Sequence, residues 1–274
     1  MQSFWNKKYV LITGAGSGIG KALASNLAKQ GAQLILTDIN KETLEAVSKE
    51  LGVSVVHYEV ADISQKEHWQ KLAHNIEVKI GYLDVLVNNA GMSPFGFFDE
   101  TSEELFDKVV AVNFNGAVIG CRAMQPLLEK SKHAVIANIA SIFGVITVPM
   151  LTSYHASKFA LRGFSEALRQ DYQRQNKNID VVCILPGGIK TNIANNAETD
   201  TKRDVDFAGH FNKMAMTSPK KAAKTIEKGI QKARQRILIG PDARLVVWLQ
   251  KWFPISYPKI FNTLMGVNKL IGSK

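Results

Sequence analysis

The chain is poor in cysteine, with only Cys121 and Cys183 among its 274 residues. Two cysteines cannot build a disulfide framework, and their spacing matches no metal-ligand motif. The sequence therefore predicts no metal site, and it favours a reducing compartment such as the cytoplasm.

Long apolar runs are also missing. No stretch reaches the roughly 18 consecutive apolar residues that a membrane-spanning helix needs. Residues 1–8 are too few and too polar for a secretory signal, and the apolar run at 9–12 ends immediately in glycines. Hydrophobic residues make up 46% of the chain and charged residues 21%, which predicts a soluble globular protein with a sizeable core.

Acidic residues are scarce near the C-terminus. Residues 219–274 hold twelve Lys or Arg against only Glu227 and Asp242, whereas residues 1–218 balance 22 basic against 22 acidic groups. The surplus extends into an amphipathic basic C-terminal extension at 242–274. Its aromatic residues are Trp248, Trp252, Phe253, Tyr257 and Phe261.

Three interpretations of this basic, aromatic extension stay open. The one we favour is a solvated surface that includes an oligomer contact or a pocket lid. The second is peripheral contact with an anionic membrane surface. Nucleic-acid binding is not expected, because the charge is spread along the chain rather than gathered on one helix or groove.

Short apolar runs alternate with longer helical segments along the chain. This alternation predicts an α/β fold, with a single Rossmann-type doubly wound parallel sheet of about seven strands and helices on both faces. No repeat or Pro/Gly-rich linker interrupts the pattern, so residues 1–274 are expected to form one domain. The predicted strands are Tyr9–Thr13, Gln33–Thr37, Ser54–His57, Val85–Asn88, Ala134–Asn138, Asp180–Leu185 and Ile237–Ile239.

Local signals predict two helix starts and one functional loop. Ser64 with Glu67, and Thr101 with Glu104, have the spacing of a capping box at the beginning of a helix. Residues 189–218 are polar and rich in turn formers. A loop that long inside a compact domain predicts a lid over a substrate site.

A glycine-rich turn, Thr13-Gly14-Ala15-Gly16-Ser17-Gly18-Ile19-Gly20, follows the first predicted strand and opens a helix. Glycines there let the backbone turn sharply and approach a pyrophosphate, and the helix N-terminus offers free N–H groups to the anion. The alternative is a purely structural turn. The strand before it, the helix after it and an acid at the end of the next strand favour a dinucleotide site.

Asp38 is that acid, eighteen residues beyond Gly20. Its carboxylate is suited to accept hydrogen bonds from the adenosine ribose and to repel the extra phosphate of NADP, so NAD(H) is expected and NADP(H) is disfavoured. No Arg or Lys occurs within residues 37–40 to reverse that preference. The alternative is that Asp38 merely caps the helix after Asn40.

Tyr154 and Lys158 are four residues apart at the start of a helical run, so both side chains share one helix face. A tyrosine serves as a general acid/base near neutrality only if its pKa falls from about 10 toward 7, which an ammonium and a positive nicotinamide together can supply. Ser141, residues 88–91 and residues 186–191 follow the ends of predicted strands, where a parallel sheet presents residues to a ligand.

The sequence thereby resembles the short-chain dehydrogenase/reductase family, through motifs that run from Thr13 to Thr191. The resemblance implies that Tyr154 donates and accepts the proton, and that Lys158 lowers its pKa and binds the nicotinamide ribose. It also implies that Ser141 orients the substrate oxygen. Asn113 would anchor a water-linked proton relay from inside its helix, although a buried, satisfied amide is the alternative.

The resemblance also implies a set of cofactor contacts. Asp62 would meet the adenine, Asn89 would border the adenosine ribose, and Ile189 with Thr191 would flank the carboxamide, although the family more often has Val at position 189. The full set of expected NAD(H)-binding residues is Gly14, Ser17, Gly18, Ile19, Gly20, Asp38, Asp62, Ile63, Asn89, Ala90, Gly91, Tyr154, Lys158, Pro186, Gly187, Ile189 and Thr191.

The expected substrate pocket is apolar, which predicts a lipophilic secondary alcohol or ketone of steroid, retinoid or fatty type. The alternative is that its side chains pack against each other or against another subunit, since the helices within 104–129 and 153–175 are expected to form a homodimer or homotetramer as the family commonly does. A non-catalytic NADH-sensing protein and a peripheral membrane lipid reductase remain rival functions. The residues expected to line the pocket are Met92, Phe95, Phe97, Ile142, Phe143, Val145, Ile146, Val148 and Met150.

Overall fold

The computed structural model describes residues 3–203 and 205–264, and its centre is one seven-stranded sheet. All neighbouring strands are parallel, in the order β3-β2-β1-β4-β5-β6-β7. The predicted doubly wound fold is thus confirmed. The strands are β1 (Tyr9–Thr13), β2 (Gln33–Asp38), β3 (Val55–Val60), β4 (Val85–Asn88), β5 (Ala134–Ile139), β6 (Ile179–Pro186) and β7 (Arg236–Ile239).

Helices cover both faces of the sheet because successive strand residues point to opposite sides. Val10 and Ile12 of β1 pack with the first and eighth helices, whereas Leu11 between them packs with Trp69 and Leu72 of the third. The helices are α1 (Gly18–Ala28), α2 (Lys41–Leu51), α3 (Lys66–Lys79), α4 (Glu103–Val110), α5 (Gly116–Glu129), α6 (Thr152–Arg174), α7 (Phe207–Met214), α8 (Pro219–Gln231), α9 (Pro241–Trp252) and α10 (Tyr257–Leu264).

The third strand is longer than its sequence predicted. It was expected at Ser54–His57 but extends from Val55 to Val60, with half-buried and exposed residues in alternation. As an edge strand it is only partly covered, so its polar residues His57 and Glu59 break the apolar run that marks the inner strands.

Both predicted capping boxes are wrong. The Ser64 hydroxyl donates to the Asp62 carboxylate at 2.7 Å, and α3 begins without a side-chain cap. At α4 the cap is Ser102, whose hydroxyl accepts from the Leu105 N–H at 3.2 Å, while Thr101 donates to a backbone carbonyl. In each case a nearby polar group offers the expected hydroxyl a better partner than the helix end does.

Segment 189–218 and helices α9 and α10 contact the loops at the carboxyl end of the sheet. Segment 189–218 is not a bare loop, because it contains α7 and forms bridges from Ile189 to Thr217 and from Glu198 to Pro94. Helices α9 and α10 pack against the short turn at Ile142–Gly144. Among the described residues no helix is both long and apolar enough to cross a membrane. The last ten residues of the 242–274 extension lie outside the described part.

Candidate active site

The loops after β1 and β4 are tied together where the chain switches from one half of the sheet to the other. The Thr13 hydroxyl accepts from the backbone N–H groups of Asn89 and Ala90, each at 2.9 Å. The Asn89 amide in turn donates to the carbonyls of Thr13 and Gly14, at 2.8 and 3.1 Å. The Asn89 side chain therefore fixes the glycine-rich turn.

The turn has the shape that its glycines require. Gly14 and Gly18 have φ angles of +62° and +53°, a region that other residues rarely adopt. A Cβ on Gly20 would lie 2.1 Å from the Gly14 carbonyl oxygen, so only glycine lets α1 pack this closely on the turn. Ser17 precedes α1 without capping it, and the first turn holds no acid. The free N–H groups and positive end of this helix fit a pyrophosphate.

Asp38 ends β2 beside this turn. Its carboxylate accepts from the Gly16 N–H at 2.9 Å and from the Asn40 N–H at 3.0 Å. The cap of α2 is Asn40, whose side chain accepts from the Thr43 N–H at 3.0 Å, so the alternative that Asp38 merely caps this helix is wrong.

Asp62 and Ile63 follow β3, next to the end of β2. The Ala61 N–H donates to the Asp38 carbonyl at 3.0 Å and thereby brings the two strand ends together. One oxygen of the Asp62 carboxylate accepts from both the N–H and the hydroxyl of Ser64. Ile63 is buried, and its carbonyl accepts from the Trp69 indole at 2.9 Å.

The four residues expected to be catalytic are all buried at the carboxyl end of the sheet, with exposures of 1% for Asn113, 8% for Ser141, 8% for Tyr154 and 3% for Lys158. Lys158 donates to the carbonyl of Ile139, the last residue of β5, at 3.1 Å. Its ammonium lies 5.6 Å from the centre of the Tyr154 ring. Helix α6 thus holds a phenol and an ammonium side by side over the end of β5.

Burial shifts the pKa values of this pair in opposite directions. It raises the pKa of Tyr154 to about 12, and the hydrogen bond with Ser141 offsets only part of that rise. It lowers the pKa of Lys158 to about 8. Both shifts arise because removal from water disfavours the charged form. The protein's own groups therefore do not bring the phenol toward 7, and a further positive charge is needed to do so.

Asn113 lies in a π-helical turn, Ala111–Asn115, between α4 and α5 rather than in a regular helix. Its amide accepts from the Met92 N–H and donates to the Met92 carbonyl, both at 2.9 Å, and it also donates to the Ser157 hydroxyl at 3.1 Å. A Cβ on Gly91 would meet this amide at 3.0 Å and the Lys158 ammonium at 3.4 Å. Asn113 thus joins the loop after β4 to α6.

The loop after β6 is held by a residue that sequence reasoning missed. The Gly187 N–H donates to the Ile239 carbonyl at 2.9 Å, and the Gly188 N–H donates to the Asp242 carboxylate at 2.6 Å. A Cβ on Gly187 would lie 2.1 Å from that carboxylate. Asp242 lies in the first turn of α9, more than fifty residues after Gly188. The only feature of the sequence that marks it is that it is one of two acids within the basic residues 219–274.

The same loop reaches back to the glycine-rich turn. Ile189 is buried after Pro186 and the two glycines, and Thr191 stands opposite the helix N-terminus. A Cβ on Gly18 would lie 3.3 Å from the Thr191 methyl group. The expected cofactor residues from the two halves of the chain therefore meet across one crevice.

His155, beside Tyr154, is a second residue that the sequence did not single out. Its Nε2 accepts from the Val148 N–H at 2.9 Å, and its Nδ1 lies 3.0 Å from the Phe143 carbonyl. The side chain is 6% exposed, and burial lowers its pKa. The ring thus holds both ends of the 143–148 segment next to Tyr154.

The expected apolar wall divides into two groups. Ile142, Val145 and Ile146 pack under α9 and α10, so for these three the alternative of packing within the protein holds, and Phe143 and Val148 are partly buried against the same cluster. Aromatic rings remain beside the site: Phe143 lies 6.3 Å from the Tyr154 ring, and Phe95 stacks on Phe207 of α7 at 4.7 Å.

The sheet, the glycine-rich turn and the buried Tyr–Lys pair define an α/β dinucleotide-binding protein. The model of the short chain dehydrogenase family matches residues 8–202, which is more than half of the chain. The chain therefore belongs to the short-chain dehydrogenase/reductase family of oxidoreductases, whose cofactor is a nicotinamide dinucleotide.

Individual relatives agree with this assignment. A Mycobacterium tuberculosis protein named as an oxidoreductase, SadH, is 37% identical over 95% of each chain. Human epidermal retinol dehydrogenase 2 is 30% identical over 94% of this chain and 82% of its own. A short chain dehydrogenase/reductase from Burkholderia phymatum, solved in complex with NAD, has a TM-score of 0.83 and 26% identity, over 90% of this chain and 94% of that one.

Proposed function

We propose that this protein is an NAD(H)-dependent oxidoreductase that interconverts a lipophilic secondary alcohol and its ketone. The observation that carries the proposal is the burial of Tyr154 and Lys158 together at the end of β5, with Ser141 buried just after the same strand. A proton donor, an orienting hydroxyl and a cation in one dry site are what carbonyl reduction requires of a protein.

In this proposal the crevice between the two halves of the sheet holds the dinucleotide. The uncapped N-terminus of α1 binds the pyrophosphate, and the loops after β3 and β4 border the adenosine. The Asp38 carboxylate binds the ribose and disfavours NADP(H), and Ile189 with Thr191 flanks the nicotinamide. When bound, the cofactor supplies or accepts the hydride at its nicotinamide ring.

The protein's own groups handle the substrate oxygen and its proton. Ser141 donates a hydrogen bond that orients the carbonyl, and the Tyr154 hydroxyl delivers the proton in reduction and removes it in oxidation. Lys158, held by the Ile139 carbonyl, stabilises the phenolate that remains. Asn113 completes the proposed water-linked relay by fixing the Met92 backbone next to Lys158.

The aromatic lining supports a lipophilic substrate. Phe143 faces the Tyr154 ring, and Phe95 with Phe207 forms a stacked pair between the loop after β4 and α7. Segment 189–218, which contains α7, is in this proposal a lid whose rings cover the substrate. The name of the human relative, a retinol dehydrogenase, points in the same direction.

We further propose one domain, a homodimer or homotetramer, and a cytoplasmic location. Membership of a family that is commonly oligomeric supports assembly through α5 and α6, and Phe159 of α6 leaves 40% of its surface exposed. Cys121 and Cys183 are buried free thiols, which suits a reducing compartment.

The function is tested by following NAD⁺ reduction with steroid, retinoid, aliphatic and polyol alcohols. We expect turnover with one of the lipophilic classes and little with polyols. Turnover restricted to polyols would contradict the substrate class. NADH binding without turnover of any class would indicate a binding protein instead of an enzyme.

A further inference from the structure

An open basic groove lies at the edge of the sheet that ends in β7. It has a volume of about 420 Å³ between α8, β7 and the start of α9. No acidic side chain occurs among the described residues that line it. The expectation that the basic charge is spread along the chain is therefore wrong, because folding gathers seven cations here. They are Lys221, Lys224, Lys228, Lys232, Arg234, Arg236 and Arg244.

Some of these cations are free to meet an external anion. Arg236 is engaged by Glu166, whereas Lys221, Lys224, Lys228 and Arg244 extend from exposed positions. With no carboxylate in the lining, the groove attracts anions strongly at low ionic strength.

An exposed apolar stripe lies directly beside this groove on α9. Leu245, Trp248 and Trp252 are spaced i, i+3 and i+7 on one helix face, and they leave 59%, 52% and 61% of their surfaces exposed. Ile255, just beyond the helix, is 92% exposed. The Trp248 ring packs edge-on against Phe253 at 6.3 Å, and Phe253 is itself 43% exposed.

The stripe and the groove are joined through α9. Arg244 lines the groove and lies four residues before Trp248 on α9, so the two side chains share a helix face, and Lys251 lies 5.5 Å from the Trp252 ring. Indole rings and aliphatic side chains next to lysine and arginine are typical of helices that lie in the headgroup region of a membrane.

The buried side of these helices packs against the 142–148 segment, which lies next to Tyr154. Val246 and Leu249 of α9 pack with Ile142, Val145 and Ile146. The Tyr257 hydroxyl accepts from the Thr147 N–H at 3.1 Å, and so ties α10 to the same segment. A lipid surface against α9 would therefore lie one helix away from the site proposed for a lipophilic substrate.

We propose that the α9 stripe together with the α8 groove is a docking surface for an anionic lipid membrane. The exposed indole and aliphatic side chains enter the headgroup region, while the groove cations meet lipid phosphates and carboxylates. The proposal goes beyond the reaction itself, and it concerns attachment to a surface rather than a span through it.

Two other occupants fit less well. A second copy of the chain seated on the same surface would bring two basic grooves together, and like charges oppose that contact. Nucleic acid could bind the cations through its phosphates and stack its bases on the indoles. It would not account for the exposed aliphatic side chains of Leu245 and Ile255, because bases stack on aromatic rings.

The test is co-sedimentation of the full chain with vesicles of phosphatidylcholine alone and of phosphatidylcholine mixed with phosphatidylserine. We expect binding to the mixed vesicles that weakens with added salt. The variant Trp248→Ser/Trp252→Ser should lower the partition coefficient roughly tenfold or more, and Lys224→Gln/Lys228→Gln should abolish most of the preference for phosphatidylserine. Sedimentation does not require turnover, so its failure would leave the proposed reaction standing.

Matched control variants lie on the opposite edge of the sheet. Tyr58→Ser replaces a half-exposed ring of β3, and Lys41→Gln/Lys49→Gln removes two exposed lysines of α2. Both should bind vesicles like the parent chain. Equal loss in the controls, or no sedimentation of the parent, would overturn the proposal. It would also be overturned if the tryptophan variant instead dissociated an oligomer in light scattering, or if oligonucleotides bound and vesicles did not.

Discussion

At the residue scale, the proposed chemistry depends on Tyr154, whose pKa burial raises to about 12. A phenol that stays protonated before cofactor and substrate bind can donate its proton to a developing alkoxide. It acts as a base only when nearby positive charge lowers its pKa. The fixed position of Lys158, 5.6 Å from the ring centre, provides part of that charge.

Replacing Tyr154 with phenylalanine should lower kcat at least about a hundredfold and leave the Kd for NADH nearly unchanged, because only the proton-transfer group is removed. Steady-state kinetics and fluorescence titration with NADH measure the two effects. Tyr172→Phe on the same helix is the matched control, since among the described residues that hydroxyl bonds to Gln125 and to no group of the candidate site. An unchanged kcat in Tyr154→Phe would exclude the assigned role.

Asp38 should decide between the two nicotinamide dinucleotides. Asp38→Asn removes the negative charge while keeping an acceptor for the Gly16 N–H, so the ratio of kcat/KM for NADH over NADPH should fall about tenfold. Glu42→Gln, an exposed acid in the first turn of α2, is the control and should leave the ratio unchanged. A parent enzyme that prefers NADPH would contradict the assignment at once.

His155 should make the fold sensitive to acid. Its folded pKa lies below the unfolded value of about 6.5, because burial disfavours the charged ring. Its contribution to stability is therefore present above about pH 6.5 and is lost as the pH falls below that value toward the folded pKa.

Chemical denaturation between pH 5 and 8 measures this effect. The free energy of unfolding of the parent should decline on the acid side, and His155→Gln should have a shallower decline and lose about 1 kcal/mol at neutral pH. His57 contributes in the same direction, because burial also lowers its pKa, so the double variant with His57→Gln should be flatter still. Identical slopes in parent and variants would remove His155 from this role.

At the element scale, the first turn of α9 positions the loop after β6. Asp242→Ala leaves the Gly188 N–H without its acceptor, which should cost about 1–3 kcal/mol of unfolding free energy and raise the Kd for NADH about tenfold. Asp242→Asn keeps an acceptor and should have an intermediate effect on both. Calorimetry of NADH binding alongside thermal unfolding distinguishes this positioning role from a general loss of stability, in which affinity at low temperature would not change.

The elements themselves differ in how well the sequence predicts them. Inner strands such as Val85–Asn88 were predicted to the residue, because a strand buried on both faces must be apolar throughout. The edge strand β3 and the caps of α3 and α4 were not predicted correctly. Their conformation depends on contacts with neighbouring side chains such as Asp62 as much as on local propensity. The π-helical turn at Asn113 has no local signal that separates it from an ordinary helix.

At the scale of the whole molecule, the parallel sheet explains why the candidate site could be assembled from sequence. Parallel strands all end on one side, so the groups after β1, β2, β4, β5 and β6 had to converge once the order of elements was known. The roles of Asp242 and His155 could not be predicted from sequence, because each side chain accepts from a backbone N–H, of Gly188 and of Val148 respectively, that lies near it only in the folded chain. The groove with its seven cations could not be predicted for the same reason, because its residues come from β7 and α9 as well as from α8.

The hydrogen bond from the Thr147 N–H to the Tyr257 hydroxyl ties α10 to the segment beside the candidate catalytic residues. A clone that stops at residue 256 is consequently no neutral expression variant. It would remove α10, which packs behind the 143–148 segment, and it would leave the Thr147 N–H without its acceptor.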